Sequence, residues 1–223
     1  MAVQTGEGTT DIIYGSASIP AGPRTYGGYL ARPDGTGGWP TVIIYGPTAM
    51  PSSSIKNICR VFARHGIAAV APEMGEDLGS NRKVSRSIAG FIANPSGDWS
   101  NAEYGYGVIA FERGLADAAA LTASDGRVVA CASIGSNLDD STTSALGEAE
   151  VPCLFIASRA DTAIDVDHCL GMRDRLPNTT FVIFGEGDHG FWNDDADGFS
   201  DDRYRDTVDR LVGFFGEHLP PRI

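Results

Sequence analysis

The chain has 223 residues and a formal net charge of -12, from 29 acidic against 17 basic side chains. A surface of that sign repels nucleic acid and anionic membranes, so neither is expected as a partner. No apolar run approaches the roughly 18–20 residues of a membrane span, and residues 1–10 lack the basic and apolar regions of a signal peptide, which makes a cytoplasmic location the expectation.

Read in chain order, the sequence predicts one α/β domain over residues 1–223, with 1–10 as a flexible N-terminus. Residues 11–19 and 25–32 read as two antiparallel strands around the turn Pro20-Ala-Gly-Pro23. Thr41–Tyr45 is short, apolar and β-branched, the signature of a buried strand. Ser52 to Ser54 can cap the next helix, where Ile55, Ile58, Cys59 and Phe62 recur at helical spacing. A buried strand at 67–71 is followed by a helix at 84–93. A strand at 107–111, a helix of small residues at 115–123 and a strand at 127–133 come next. Residues 136–144, with five Ser or Thr and two Asp among them, make a poor helix. A strand at 152–157, a helix at 165–176, a strand at 180–184 and a helix at 203–218 complete the pattern. Alternation of this kind predicts a mostly parallel sheet with helices on both faces.

Cys59, Cys131, Cys153 and Cys169 form no CxxC pair and read as structural thiols, so neither a zinc site nor a disulfide framework is expected. The acidic run of Asp194, Asp195, Asp197, Asp201 and Asp202 reads as a solvated loop rather than a metal site. In open parallel sheets, sites form in loops beyond the carboxyl ends of strands. Two such loops stand out. One leads from Leu154-Phe-Ile-Ala-Ser-Arg-Ala160 into Asp161; the other leads from Phe181-Val-Ile-Phe184 into Asp188-His189-Gly190. A carboxylate after one strand and a histidine after the next can meet at the sheet edge, where the acid orients the imidazole. His65, His168 and His218 lack such a context.

Several segments resemble the dienelactone hydrolase branch of the α/β-hydrolase fold: Arg24-Thr-Tyr-Gly-Gly-Tyr-Leu-Ala-Arg-Pro33, Pro40-Thr-Val-Ile-Ile-Tyr45, Gly66-Ile-Ala-Ala-Val-Ala-Pro72, Val151-Pro-Cys-Leu-Phe-Ile156 running to Asp161, and Gly187-Asp-His-Gly-Phe191. The resemblance spans about residues 10–218. It implies a nucleophile–Asp–His triad in that chain order, hydrolysis of esters or lactones, and an oxyanion hole of backbone N–H groups.

The nucleophile departs from that pattern, and two segments compete for the strand-to-helix elbow. Ala110-Phe-Glu112-Arg-Gly114 has a strand before it and a helix after it, and leaves room for every expected element before Asp161. It places Glu112 where Ser or Cys is usual. Cys131-Ala-Ser133-Ile-Gly135 supplies a hydroxyl but leads into the poor helix, and only 161 − 133 = 28 residues then separate it from Asp161, so that one expected helix–strand unit would be missing. The first alignment is preferred, with Ser133 lining the pocket or acting as the alternative nucleophile of a serine esterase. A carboxylate at the elbow admits covalent attack on an ester, lactone or epoxide, or general acid–base chemistry of a lyase or cyclase. It also admits a disabled elbow on a binding protein. The resemblance places the oxyanion-hole donors at Thr48, because Pro47 has no N–H, and at Arg113, or Ile134 in the serine reading. Tyr45, Trp192, Trp99, Tyr104 and Phe191 are candidate pocket aromatics. The expectation is a cofactor-free, metal-free enzyme of a small molecule, with its oligomeric state open.

Overall fold

Residues 8–21, 24–75, 78–95 and 98–223 are described in a computed structural model of the chain. The strands are β1 (Ile12–Ala21), β2 (Arg24–Pro33), β3 (Thr41–Tyr45), β4 (Ala68–Pro72), β5 (Tyr106–Phe111), β6 (Val128–Ile134), β7 (Cys153–Ser158) and β8 (Thr179–Phe184). The helices are α1 (Ser53–Arg64), α2 (Leu78–Ala93), α3 (Leu115–Ser124), α4 (Asp140–Ala149), α5 (Val166–Gly171) and α6 (Asp201–His218).

The strands form one eight-stranded sheet in the order β1-β2-β4-β3-β5-β6-β7-β8. β1 and β2 pair antiparallel, and β2 also runs antiparallel to β4. From β4 to β8 every pairing is parallel. The leading hairpin and parallel sheet follow the expectation; two of the four residues of the expected Pro20–Pro23 turn lie outside the described residues.

Strand alternation explains why both faces are covered. Ile43 and Tyr45 of β3 pack with Val84, Ile88 and Ile92 of α2 and with Leu115, Ala118 and Leu121 of α3. Val42 and Ile44 turn the other way and pack with Ile55, Ile58 and Phe62 of α1 and Leu211 and Phe215 of α6. The all-buried β3, β4, β5 and β7 are therefore continuous apolar runs. Among the described residues no helix is long and apolar enough to cross a membrane.

Three helices differ from the sequence reading. α2 begins at Leu78, six residues before the expected 84. The helix expected over 165–176 ends at Gly171, and a 3-10 turn follows at Arg173–Arg175. The largest correction is α4, over residues read as a poor helix. Asp139 caps it through the Thr142 N–H at 2.7 Å, and the Thr142 hydroxyl accepts from the Asp139 N–H at 3.1 Å. That reciprocal cap, with Thr143 and Leu146 buried beneath, outweighs the weak helix propensity of Ser and Thr. Asp139→Ala should therefore cost about 1 kcal/mol of stability, seen as a lower urea midpoint at unchanged slope.

Candidate active site

The chain leaves β5 through a turn that few side chains tolerate. Glu112 follows the last residue of β5 and opens a 3-10 turn, Glu112–Gly114, that runs directly into α3. Its φ is +52°, the left-handed region. For a residue other than Gly, that conformation is unfavourable and persists only where the surroundings impose it. It lifts the Glu112 side chain out of the sheet edge. Two positions on, a Cβ at Gly114 would lie 2.7 Å from the Tyr45 carbonyl oxygen and 2.9 Å from that of Gly46. Only glycine lets the turn pack against the end of β3.

Asp161 lies in the loop beyond β7 and is only 2% exposed. Its Oδ1 accepts the Ala163 N–H at 2.9 Å. His189, in the loop beyond β8, places Nδ1 3.1 Å from Asp161 Oδ2 and 3.2 Å from Oδ1. Its other ring nitrogen, Nε2, lies 3.8 Å from Glu112 Oε1. The structure thus brings Glu112, His189 and Asp161 into one line, at the carboxyl ends of three parallel strands.

Separation and burial distinguish the three groups. The distance from Nε2 to Oε1 is too long for a direct hydrogen bond, but leaves room for a small group bonded to both. The His189 ring is half exposed, whereas the Glu112 side chain retains only 22% exposure. That burial holds the Glu112 carboxyl above its ordinary range, and the Asp161 charge adds to the effect; His189, Trp192 and Arg113 act against it.

The loop carrying His189 is pinned from several sides. A Cβ at Gly198 would lie 2.2 Å from the His189 carbonyl oxygen, so the returning strand of the loop crosses closely there. Phe191 and Trp192 are buried, with Trp192 stacked on Phe111 at 4.4 Å between ring centroids. Farther on, the Ser53 and Ser54 hydroxyls at the start of α1 donate to Asp195 and Asn193. Asp195, exposed in that loop, thus also ties it to the start of α1. No spacing in the sequence connects it to Ser53.

The other sequence candidates fall into two groups. Thr48 and Arg113 both line a cleft of about 380 Å3 beside the elbow, together with Gly46, Ala49, Asn81 and Asp117. Arg113 stands in the first turn after β5, where backbone N–H groups have no acceptor within the helix, and its guanidinium bonds the Pro47 carbonyl. Tyr45 and Trp192, candidates for pocket lining, are core residues that do not line this cleft. The Trp192 indole N–H is buried without a regular partner, but lies close enough to the Glu112 carboxylate to favour its ionised form. Trp99 and Phe191 are buried as well, and Tyr104 stands out in solvent.

Ser133 is not drawn into the constellation. It is 5% exposed, with an Oγ that has no hydrogen-bond partner. It sits among Cys131, Leu138, Leu146 and Phe155, on the face covered by α4. β6 reaches the elbow instead through Gly135, where a Cβ would lie 3.8 Å from Glu112 Cγ and 3.7 Å from the Trp192 indole nitrogen. Sequence reasoning missed Asn81 and Asp117. Asp117 was legible only as an acidic residue in the first turn of α3, and Asn81 fell outside the expected start of α2.

No family model and no curated protein matches the chain. Solved structures do. A Klebsiella pneumoniae protein described as a dienelactone hydrolase superposes with a TM-score of 0.80 at 21% identity, over 93% of this chain and 100% of that one. A dienelactone hydrolase from Anabaena variabilis gives 0.75 at 18% identity, over 94% and 99%. A dienelactone hydrolase-like promiscuous phosphotriesterase from metagenomic libraries gives 0.76 at 12%, over 94% and 99%. The chain therefore has the α/β-hydrolase fold in the form seen in dienelactone hydrolases.

Proposed function

We propose that the chain is a hydrolase of small organic molecules in which Glu112 is the nucleophile and Asp161-His189 activates water. One observation carries this reading. A half-buried carboxylate stands on a left-handed strand-to-helix turn, 3.8 Å from an imidazole nitrogen whose opposite nitrogen is held by a buried aspartate.

The chemistry follows from what such a carboxylate can do. A Glu112 oxygen attacks an electrophilic carbon and forms a glutamyl ester as the carbon's bond to its leaving oxygen breaks; that oxygen takes a proton from solvent. His189 Nε2 then removes a proton from water, and the hydroxide adds to the Glu112 carboxyl carbon. The N–H groups of Thr48 and Arg113 are the proposed donors to the resulting oxyanion. Collapse releases the product alkoxide, which takes the proton back from His189, and the Glu112 carboxylic acid gives a proton to solvent to restore the carboxylate.

Leaving-group ability selects the substrate. Against an ester or lactone, a carboxylate is a weaker base than the alkoxide it must expel, so the adduct falls back to reactants. A strained epoxide carbon has no such return path. Small epoxides therefore suit a covalent role best. For a small ester or lactone, Glu112 would act instead as general base on water.

A single turnover in heavy-oxygen water separates the two. Covalent catalysis should leave one heavy oxygen in the tryptic peptide containing Glu112. General-base catalysis should leave that peptide light and label only the product. Labelling of Ser133 by a fluorophosphonate, with loss of activity, would defeat both in favour of a serine esterase.

A further inference from the structure

The cleft beside the elbow is lined by polar groups, and nearly all of them are already engaged. The Thr48 hydroxyl donates to the Met50 carbonyl at 2.7 Å. The Arg113 guanidinium is held by the Pro47 carbonyl. Asn81, buried at the mouth of α2, is used at both ends of its amide. Its oxygen accepts the Gly75 N–H at 2.7 Å, and its nitrogen donates to Asp117 Oδ2 at 3.1 Å.

Asp117 is the exception. Among the described residues its one side-chain hydrogen bond is that from Asn81, which reaches a single oxygen. Its carboxylate faces the cleft and is partly withdrawn from water, which holds its pKa above the usual carboxylate range. A partly desolvated acceptor with an unspent oxygen is completed by a hydrogen-bond donor. Asn81 acts as a buttress that fixes the carboxylate without satisfying it.

Position and charge narrow the donor. Asp117 lies five residues beyond Glu112 on the same turn and helix, roughly 8 Å along the axis. The cleft is not lined by Glu112 or His189 but meets the elbow at Arg113 and Gly114; a short alkyl chain would join a carbon reacting at Glu112 to a polar end in the cleft. The end is neutral rather than cationic, because Arg113 shares the cleft and Arg82 and Arg86 line the groove on the other side of Asp117.

We infer that Asp117, braced by Asn81, is a specificity site for a hydroxyl at the far end of the substrate, so that the chain acts on small hydroxylated molecules. The inference rests on the hydrolase reading for its meaning, but its test does not need turnover. Two product-like ligands are compared: a hexanediol with adjacent hydroxyls at one end, and its counterpart with a further hydroxyl at the opposite end. Binding is followed by protein NMR on the wild-type chain, Asp117→Leu and Glu112→Gln.

The wild-type chain and Glu112→Gln should bind the additionally hydroxylated ligand about tenfold more tightly than the plain diol. Asp117→Leu, checked by its melting temperature for retained folding, should bind both alike. Equal binding of the two ligands by the wild-type chain, binding of neither, or a preference that survives in Asp117→Leu would overturn the inference. So would a preference that is undiminished in a folded Asn81→Ala variant. A chain that shows the Asp117-dependent preference but hydrolyses nothing would instead defeat the proposed reaction and leave this site standing.

Discussion

Glu112→Gln should lower turnover by at least roughly a thousandfold while making the protein more stable at neutral pH. The activity loss follows from chemistry: an amide is neither a usable nucleophile nor a base, and removal of a reacting group costs factors of this order. The stability gain follows from burial. Desolvation, reinforced by Asp161, raises the folded-state pKa of Glu112 above its ordinary value of 4.5. Below that ordinary value the carboxyl is protonated in both folded and unfolded chains, and ionisation costs the fold nothing. As pH climbs from there through the raised folded value, the folded chain must ionise a group that its surroundings disfavour, and stability falls.

The glutamine variant has no such group. Its urea midpoint should match the wild type in acid and exceed it above the Glu112 titration. A midpoint difference that is flat with pH would contradict the account. The same raised pKa should place the acid limb of kcat/KM above the range of an ordinary glutamate, because Glu112 must be ionised to attack. A variant that loses activity but gains stability is the mark of a strained functional residue. Its left-handed backbone conformation is retained in Glu112→Gln, so the comparison isolates the charge.

Asp161→Asn should cost roughly a thousandfold to ten-thousandfold in steady-state turnover with little change in fold stability. The asparagine oxygen can keep the contact to the Ala163 N–H, since Asp161 Oδ1 makes that bond now. The amide nitrogen then faces His189 Nδ1 and donates to it. That interaction selects the tautomer with its proton on Nε2, the nitrogen that faces Glu112 at 3.8 Å. An imidazole protonated there cannot take a proton from water.

Only the second half of the reaction should suffer. Attack by Glu112 needs no base, so the glutamyl ester should form at nearly the normal rate and then accumulate. Intact-protein mass spectrometry after mixing with substrate should find a stable adduct in Asp161→Asn and none in Glu112→Gln. Slow turnover with no adduct in either variant would mean that Glu112 works as a base. Full activity in Asp161→Asn would remove the His189–Asp161 pair from the mechanism altogether.

Residue order and local chemistry carried much of the architecture. The apolar runs of β3, β4 and β7, the serine cap before α1 and the turn residues between strands are local signals, readable because period and propensity act within a few residues. The same holds for the loops that deliver Asp161 and His189, and for the strand–Glu112–helix sequence that made the elbow legible despite its unusual residue. α4 was missed because its stability comes from a reciprocal cap and the buried Thr142, Thr143 and Leu146, which outweigh a run of weak helix formers.

What tertiary structure alone decided is which groups meet and which are used up. Strand order places β5, β7 and β8 so that Glu112, Asp161 and His189 converge, while strand alternation turns Ser133 to the face covered by α4. Packing between β3 and the elbow makes Gly114 obligatory. Folding also brings Ser53 to Asp195 and Asn81 to Asp117, and so leaves one carboxylate oxygen open in the cleft. Sequence specifies the functional groups and the elements that bear them. Their distances, burial and unspent hydrogen-bonding capacity depend on contacts between residues far apart in the chain, and those exist only once the sheet has closed.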